Sequence, residues 1–293
     1  MSTHVRTLVS PARLRDTRGK VVYWTVFSLV LVGFTAAFLF PLYWAVTGAM
    51  KSPPELARVP SPIVPQEWHP ESYGQAWQEM DLARYFLNTV VVAGGAWLFQ
   101  LAVDVPAAYA LSKLRPVLGN AIMGLMLATL MLPASALLVP TYLTIVDVPF
   151  AHVNLINSPA AIWLPAAANA FNIYLLKRFF DQIPGELLEA ARIDGAGPVR
   201  VLVRIVLPMS KPIIAVVSIF AVVAAWKDFI WPLLVFPDPG AQTLSVALHR
   251  MEPDMPLNLL LAGLVLASLP MVAIFLVFQR QILAGLTAGS VKG

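Results

Sequence analysis

Long apolar stretches separated by polar segments dominate the chain. Six of them are long enough to cross a bilayer, which takes about 20 apolar residues per helix, and each is apolar on all faces. These stretches are Val21–Val46, Tyr85–Ser112, Asn120–Val146, Ser158–Leu176, Pro212–Phe236 and Leu257–Leu283. The pattern therefore predicts an all-α polytopic membrane protein with six transmembrane helices.

The composition agrees with a chain that lies in lipid. Of its 293 residues, 58% are hydrophobic and 12% are charged, whereas a soluble globular chain carries about 25% charged residues. The first apolar stretch follows a basic segment, as in a signal peptide, but it is too long for one, so we predict a retained helix. The absence of cysteine excludes disulfides, thiolate metal sites and a cysteine nucleophile.

The positions of the basic residues predict the orientation of the chain. Most of the 20 Lys and Arg residues lie in residues 1–20, after the second stretch, between the fourth and fifth stretches, and near the C-terminus. Because basic loops are retained in the cytoplasm, we predict a multi-pass protein of the cell membrane with both termini cytoplasmic. The same bias accounts for the basic pI of ≈ 9.4 without any nucleic-acid partner.

The spans divide the rest of the chain into segments. Residues 1–20 are predicted to be a cytoplasmic N-terminal segment, and residues 21–293 a single transmembrane domain. Within that domain, 47–84 and 237–256 are outer loops and 284–293 is a C-terminal tail. Both outer loops are rich in proline, which removes backbone donors and stiffens irregular segments. A simple connecting role is the alternative interpretation of each loop.

The cytoplasmic loop over residues 179–211 has the pattern of a short helix, a turn and a second short helix. Glu186 favours the positive end of the first helix, and Gly195 is a natural left-handed stop after it. Pro198 suits the first turn of the second helix, which Pro208 ends. The pattern predicts a preformed knob on the cytoplasmic face, and an ordinary amphipathic connector is the competing interpretation.

The identities of the residues in this loop favour the first interpretation. The fixed positions, spaced E-A-A-x3-G-x9-I-x-L-P, are Glu189, Ala190, Ala191, Gly195, Ile205, Leu207 and Pro208. They match the EAA loop of ABC importer permeases at every fixed position. With shorter matching stretches such as Tyr85–Thr89 and Thr243–Val246, essentially the whole chain resembles the shorter permease of carbohydrate importers of the maltose type.

The resemblance implies a role for the loop and a set of partners. The loop would be a coupling helix that docks in a cleft of a cytoplasmic ATPase dimer, with Glu186 and Asp194 beside the fixed positions. The implied partners are that ATPase dimer, which binds ATP and Mg²⁺, a second permease subunit, and an extracytoplasmic sugar-binding protein. Loop 237–256 would reach the binding protein, and tail 284–293 would contact the ATPase pair.

Three charged side chains fall inside predicted spans, namely Asp104, Lys227 and Asp228. Because intramembrane charges are costly, they usually face a cavity or each other. We expect them, with Trp226, to line the translocation path and to hydrogen-bond sugar hydroxyls. A structural ion pair or a position near the membrane interface is the alternative. The resembling family more often reads Trp-Asn-Asp/Glu at Trp226–Asp228, so the lysine leaves the substrate open.

No catalytic pattern accompanies these features in the sequence. The pair Gly19–Lys20 does not form a phosphate-binding P-loop, because position 14 is leucine. The four histidines are scattered and form no His-Glu-x-x-His zinc motif. We therefore predict that the chain is not itself an enzyme and that it holds no metal or cofactor of its own.

Two rival classes make different demands on the sequence. An ion-driven secondary transporter or channel would need intramembrane carboxylate relays, and the loop from Glu189 to Pro208 argues against it. A polytopic membrane enzyme would need clustered His, Asp or Ser near an interface.

Among importers, a phosphodiester or a polyamine is the alternative solute. The sequence names neither the sugar nor its chain length, and it leaves a homodimeric pore open although the resemblance favours a heterodimer.

Overall fold

The structure, a computed structural model, describes residues 16–288, with side chains as far as Arg280. The predicted N-terminal segment 1–20 and tail 284–293 therefore lie largely outside the described residues. All regular structure between residues 16 and 288 is helical, which confirms the all-α prediction.

The helices follow one another with short connections. In chain order they are α1 (Thr17–Ala49), α2 (Pro53–Leu56), α3 (Glu71–Glu79), α4 (Leu82–Tyr109), α5 (Gly119–Thr129), α6 (Ala134–Val146), α7 (Ala160–Ala166), α8 (Ala170–Asp181), α9 (Gly185–Ile193), α10 (Pro198–Val201), α11 (Leu207–Met209), α12 (Lys211–Lys227), α13 (Ile230–Val235), α14 (Leu244–Met251) and α15 (Leu257–Ala288). Two π-helical turns cover Ala110–Leu114 and Leu202–Val206, and a 3-10 turn covers Pro239–Ala241.

Several of these helices can cross a membrane. In the described range, α1, Leu82–Leu114 and Leu257–Arg280 are each long and apolar enough. Two bent pairs reach that length together, namely α5 with α6, at 105°, and Pro198–Met209 with α12, at 85°. The predicted fourth span, Ser158–Leu176, falls on the two short helices α7 and α8. Several candidate membrane-spanning helices are thus confirmed, whereas their number, six, stays a prediction.

The predicted span Asn120–Val146 is not a continuous helix, because it breaks between α5 and α6. Pro133 has no N–H to donate, and its ring disfavours helical backbone at Leu132. The backbone at Pro133 is extended, with ψ of 132°, and α6 begins at the next residue. Proline chemistry, which the apolar length of the stretch does not reveal, therefore sets this bend.

The described chain divides into two compact units. Unit 1 holds the residues up to Gly74 together with Pro256–Val265, and unit 2 holds Gln75–Met255 and the residues from Leu266 onward. The predicted single domain is not tested by this division and stays a prediction.

In unit 1, the proline-rich segment after α1 is folded around a buried lysine. The Lys51 ammonium lies 4.0 Å from the centroid of the Trp44 ring and donates to the Pro62 carbonyl. Burial lowers the pKa of Lys51, although Glu55 opposes the shift. The Glu55 carboxylate in turn accepts the N–H of Gln66 at 2.8 Å. This part of loop 47–84 therefore has a defined structure beyond simple connection.

Unit 2 is organised around α4, α8 and α12. Val105 and Ala108 of α4, Leu176 of α8, and Val216 and Val217 of α12 belong to one buried cluster. A second cluster joins α4, α6, α7 and α13. These two clusters position the helix ends and breaks at which the candidate functional residues lie.

Adjacent glycines in α4 give a matched test of the packing in unit 2. A Cβ at Gly95 would lie 2.0 Å from the Trp163 ring, whereas a Cβ at Gly94 would meet nothing within 4 Å. The indole is held by its N–H bond to the Val92 carbonyl (3.0 Å) and by the stacked Phe99 ring. We expect Gly95→Ala to lower the free energy of unfolding by about 1–3 kcal/mol through overpacking.

The measurement for this pair is the melting temperature in detergent. Gly94→Ala should melt at or slightly above the wild-type temperature, because alanine favours helix more than glycine does. Equal melting temperatures for the two variants would show that the indole moves aside without cost.

Candidate functional site

The loop 179–211 folds as the predicted helix, turn and second helix. Helix α9 ends at Ile193, and Gly195 follows with φ of +76°, a left-handed conformation that disfavours side chains. Pro198 occupies the first turn of α10. The second helical segment continues to Met209, one residue beyond Pro208, and the chain then bends by 85° into α12. The π-helical turn Leu202–Val206 precedes Pro208, which has no N–H to donate and whose ring disfavours a regular helical turn before it.

One face of the knob is packed and the other is free. Leu188 of α9 is buried in the cluster shared with α4, α8 and α12. By contrast, Ile193 is 87% exposed and Val199 is 74% exposed. Large apolar side chains that are exposed outside a membrane span can mark a surface that meets a partner. The knob is therefore anchored on one side and presents apolar side chains on the other.

The predicted coupling residues divide between these two faces. Those that are exposed are Glu186, Glu189, Ala190, Asp194, Gly195 and Pro208. Those that pack against the buried cluster are Ala191, Ile205 and Leu207. Leu187, one turn before Ala190 and Ala191, is exposed, whereas Ala191 is half-buried.

A polar cluster that sequence reasoning missed ties the base of the knob to the end of α4. The Asp181 carboxylate accepts the Ser112 hydroxyl at 2.7 Å and the Lys177 ammonium at 2.8 Å. Lys113 donates to the Ile183 carbonyl at 3.0 Å. Ser112 and Asp181, like Lys113 and Ile183, lie about 70 positions apart in the chain, so only the fold brings them together. The single local signal was the i, i+4 spacing of Lys177 and Asp181.

The same cluster lowers the pKa of Asp181. Partial burial acts to raise this pKa, but the hydrogen bonds from Lys177 and Ser112 outweigh it, and the pKa lies below its ordinary value of 3.8. A depressed carboxyl pKa stabilises the fold at pH values above 3.8, and the stabilisation is lost as the pH falls through the folded-state pKa.

We expect Asp181→Asn to destabilise the protein modestly at neutral pH. Because the side chain is partly exposed, the expected loss is about 1 kcal/mol or less. Melting temperatures from pH 7 downward should show the gap between variant and wild type narrowing as the pH falls below 3.8. The control is Asp147→Asn, which alters a carboxylate whose partner is the exposed His152. A gap that stays constant with pH would contradict the assignment.

Asp104 is fully buried and supports a helix break. Its carboxyl accepts the backbone N–H of Asn169 at 2.9 Å. Asn169 caps α8 by accepting the N–H of Asn172 at 3.0 Å, just after α7 has ended. The carboxyl thus pairs with a donor that the break leaves without a helical partner. A role in the solute path stays a prediction, and the observed contacts are with the protein itself.

Trp226, Lys227 and Asp228 lie at a second break, between α12 and α13. The Trp226 ring packs edge-on against Phe86, with centroids 5.5 Å apart. Asp228 accepts the N–H of Trp231 at 3.4 Å and so caps α13. Lys227 is exposed and forms no ion pair with any residue that the structure describes, Asp228 included. A Lys227–Asp228 ion pair, the structural alternative, is therefore not what the structure shows.

The outer segment after α13 is fastened to α4 by residues whose role the sequence did not reveal. The Asn88 side-chain amide donates to the carbonyls of Gly240 (3.0 Å) and Gln242 (2.9 Å). The Thr89 hydroxyl accepts the N–H of Leu244 at 2.8 Å. The Ser245 hydroxyl donates to the Asp228 carbonyl at 3.3 Å, which links this segment to the break after α12. The short stretches that carried the resemblance include Asn88, Thr89 and Ser245. In the structure, the hydrogen bonds of these residues hold those stretches together.

Comparison with known proteins identifies the family. Residues 105–287 match the family described as binding-protein-dependent transport system inner membrane component. The chain belongs to this family.

Full-length relatives support the same assignment. The permease protein UgpE of the sn-glycerol-3-phosphate transport system of Rhizobium meliloti (strain 1021) is 34% identical over 269 residues, covering 88% of this chain and 94% of the relative. The melibiose/raffinose/stachyose import permease protein MelC of Bacillus subtilis (strain 168) is 31% identical over 272 residues, covering 92% and 96%.

A solved structure shares the fold. The crystal structure of a bacterial ABC transporter involved in the import of the acidic polysaccharide alginate contains a chain with a TM-score of 0.79 and 22% identity. The match covers 90% of this chain and 98% of that chain. At this identity the likeness shows the fold alone.

The family assignment decides several of the sequence-based predictions. The resemblance to an ABC importer permease is confirmed, and this permease component is an inner-membrane, multi-pass protein rather than an enzyme. Dependence on a binding protein, part of the family description, rules against the ion-driven secondary transporter. The named solutes of the two relatives differ, one being a phosphate ester and the other a group of oligosaccharides.

Proposed function

We propose that this chain is one half of the translocation pore of an ATP-driven importer for a sugar or oligosaccharide. The observation that carries the proposal is the knob α9, which is anchored by Leu188 and exposes Ile193 to 87%. In this proposal the exposed face docks in a cleft of a cytoplasmic ATPase dimer. ATP and Mg²⁺ would be bound there, by the ATPase and not by this chain.

The anchoring of the knob supports its use as a coupling element. Leu188, Val201 and Val206 share one buried cluster with residues of α4, α8 and α12. Close-packed interiors transmit displacement because they deform little. A movement imposed on α9 by closure of the ATPase dimer would therefore shift the helices that the cluster joins. Switching of the pore between two orientations is then a population shift driven by ATP binding.

Docking of the ATPase can be tested by co-purification from native membranes. We expect Ile193→Asp to lose most of the ATPase that wild type retains, because a buried unpaired carboxylate would oppose the contact. Val117→Asp is the matched control, since Val117 is a fully exposed apolar residue in another loop. Equal recovery of the ATPase with Ile193→Asp and wild type would remove the basis of the proposal.

The remaining predictions on topology belong to the same proposal. Both termini would be cytoplasmic, on the side that the basic residues favour, and six spans would form one transmembrane domain over residues 21–293. The broken pair α7–α8 would provide the fourth span. Residues 1–20 would precede that domain in the cytoplasm, and tail 284–293 would contact the ATPase pair.

The outer loops are proposed to meet an extracytoplasmic sugar-binding protein. Residues 237–256 contain α14, whose side chains Val246 and Ala247 are buried while His249 and Arg250 are exposed. Residues 47–84 are held in shape around Lys51. Defined loops of this kind present a constant surface to a partner, which reduces the ordering cost of binding. A second permease subunit would complete the pore.

Two breaks in the helices are proposed to lie along the solute path. Unwound segments within spans commonly border binding sites in transporters. In this proposal Trp226, Lys227 and Asp228 border the path at the α12–α13 break, and Asp104 supports it at the α7–α8 break. The exposed Lys227 would also suit an anionic solute, which keeps a phosphate ester as the alternative to a sugar.

A further inference from the structure

A cavity of ≈ 520 Å³ lies among α4, the α5–α6 bend, α8 and α12. Its size falls in the range of small-molecule sites, about 300–1,000 Å³. The side chains that give it chemical character are Gln100, Asn169, Phe171, Asn172, Tyr174 and Phe220. Leu130 and Phe171 are 52% and 47% exposed, so the cavity is open on one side.

Gln100 is the residue that points to a ligand. It is only 6% exposed, it lines the cavity, and its side-chain amide forms no hydrogen bond with any residue between 16 and 280. An amide that reaches a cavity without a protein partner has its donor and acceptor atoms available to a bound solute. Asn172, 3% exposed, lines the same cavity.

We infer that this cavity is a subsite for an uncharged, polyhydroxylated solute, with Gln100 as its main hydrogen-bonding group. The inference rests on the proposed function and adds a location and a chemical class. Side-chain amides both donate and accept, as sugar hydroxyls do. The Phe171 and Phe220 rings, 6.4 Å apart and tilted by 40°, supply apolar surface for the C–H faces of a sugar ring.

The lining also argues against an anionic solute at this place. None of the residues that line the cavity is Lys, Arg, Asp or Glu. Phosphate and carboxylate groups are normally recognised by arginine, lysine or clustered backbone N–H groups. The lining therefore favours a neutral solute in this cavity, although a relative is named for sn-glycerol-3-phosphate.

The cavity is placed where movement of the knob would change it. Tyr174, Leu175 and Phe220 line the cavity and also pack against the buried cluster that contains Leu188 of α9. A displacement of α9 would therefore reach the cavity wall through the cluster that the two share. Behind the wall, Asp104 accepts the N–H of Asn169, a lining residue at the start of α8.

The absence of cysteine from the chain allows a direct test. Ala224→Cys places a thiol on the wall of the cavity, and Gln78→Cys places one on the exposed side of α3 as a control. The assembled transporter in detergent is treated with a maleimide in the presence of raffinose, melibiose or sn-glycerol-3-phosphate. Labelling is read on this chain alone.

We expect raffinose or melibiose to slow labelling of Ala224→Cys and to leave Gln78→Cys unchanged. Adding Gln100→Leu should raise the sugar concentration for half-protection about three- to tenfold, as for loss of a neutral hydrogen bond. Protection by sn-glycerol-3-phosphate, or an unchanged half-protection with Gln100→Leu, would overturn the inference. Absence of protection by either sugar would also overturn it.

Uptake by cells with the wild-type transporter tests the proposed function separately. Protection without ATP-dependent sugar uptake would overturn the proposed function and uphold the subsite. Uptake without protection would uphold the proposed function and overturn the subsite.

Discussion

We expect Gly195→Val to abolish most ATP-driven transport while the protein still reaches the membrane. Gly195 has φ of +76°, and nothing lies within 4 Å of an added Cβ, so the penalty comes from the backbone and not from a clash. A β-branched residue in this conformation costs about 1–3 kcal/mol. Relief of the strain would turn α9 relative to α10 and misplace the exposed face of the knob. A loss of coupling free energy of that size corresponds to about a 5- to 150-fold fall in the coupling of ATP binding to transport.

The matched control for this variant is Gly197→Val. Gly197 also has open space around an added Cβ, but its φ of −72° and ψ of 165° are extended and suit valine. Solute uptake and stimulated ATPase activity are measured for both variants at equal membrane levels. Gly197→Val should retain most of the wild-type activity. If both variants lose activity equally, added bulk on the docking face is responsible and the left-handed turn is not.

Asp104→Leu should lower the stability of unit 2. Its carboxyl is fully buried and accepts the Asn169 N–H at 2.9 Å. Leucine offers no acceptor, so this N–H would face an apolar side chain where α7 ends and α8 begins. An unpaired buried donor costs about 1–3 kcal/mol. We expect less folded protein in the membrane and a lower melting temperature in detergent.

Asp104→Asn distinguishes support of the helix break from a role in the solute path. Asparagine keeps a side-chain oxygen that can accept the same N–H, so stability should stay near that of wild type. If Asp104 acts on the fold, transport selectivity between sugars and sn-glycerol-3-phosphate is unchanged in this variant. A changed selectivity with unchanged melting temperature would instead show that the carboxylate meets the solute.

The backbone of loop 179–211 could be predicted in detail because its determinants are local. The left-handed stop at Gly195 and the helix start at Pro198 follow from backbone preferences within a few residues. The fixed positions from Glu189 to Pro208 then led to the family, which the comparison confirms. Which side of α9 is free was harder to predict, because it depends on where α4, α8 and α12 pack.

The charged residues within the spans show the limits of reading a sequence by hydropathy. Hydropathy marked Asp104, Lys227 and Asp228 as costly, and the same argument applied equally to all three. The structure separates them. Asp104 and Asp228 pair with backbone N–H groups at helix breaks, and Lys227 is exposed. Gln100, an uncharged residue in an apolar stretch, drew no notice, yet it lines a cavity without a protein partner.

The sequence by itself determined the helical, membrane-embedded class of this chain and the helix, turn and second helix of loop 179–211, because hydrophobicity and backbone preference act over neighbouring residues. Only the tertiary structure decided that Ser112 meets Asp181, that Asn88 holds the segment around Gly240, and that Asp104 supports Asn169. Those pairs are separated by 65 residues or more. Each of these pairs forms because a buried polar group needs a hydrogen-bond partner, and the packing of the helices leaves it no other one.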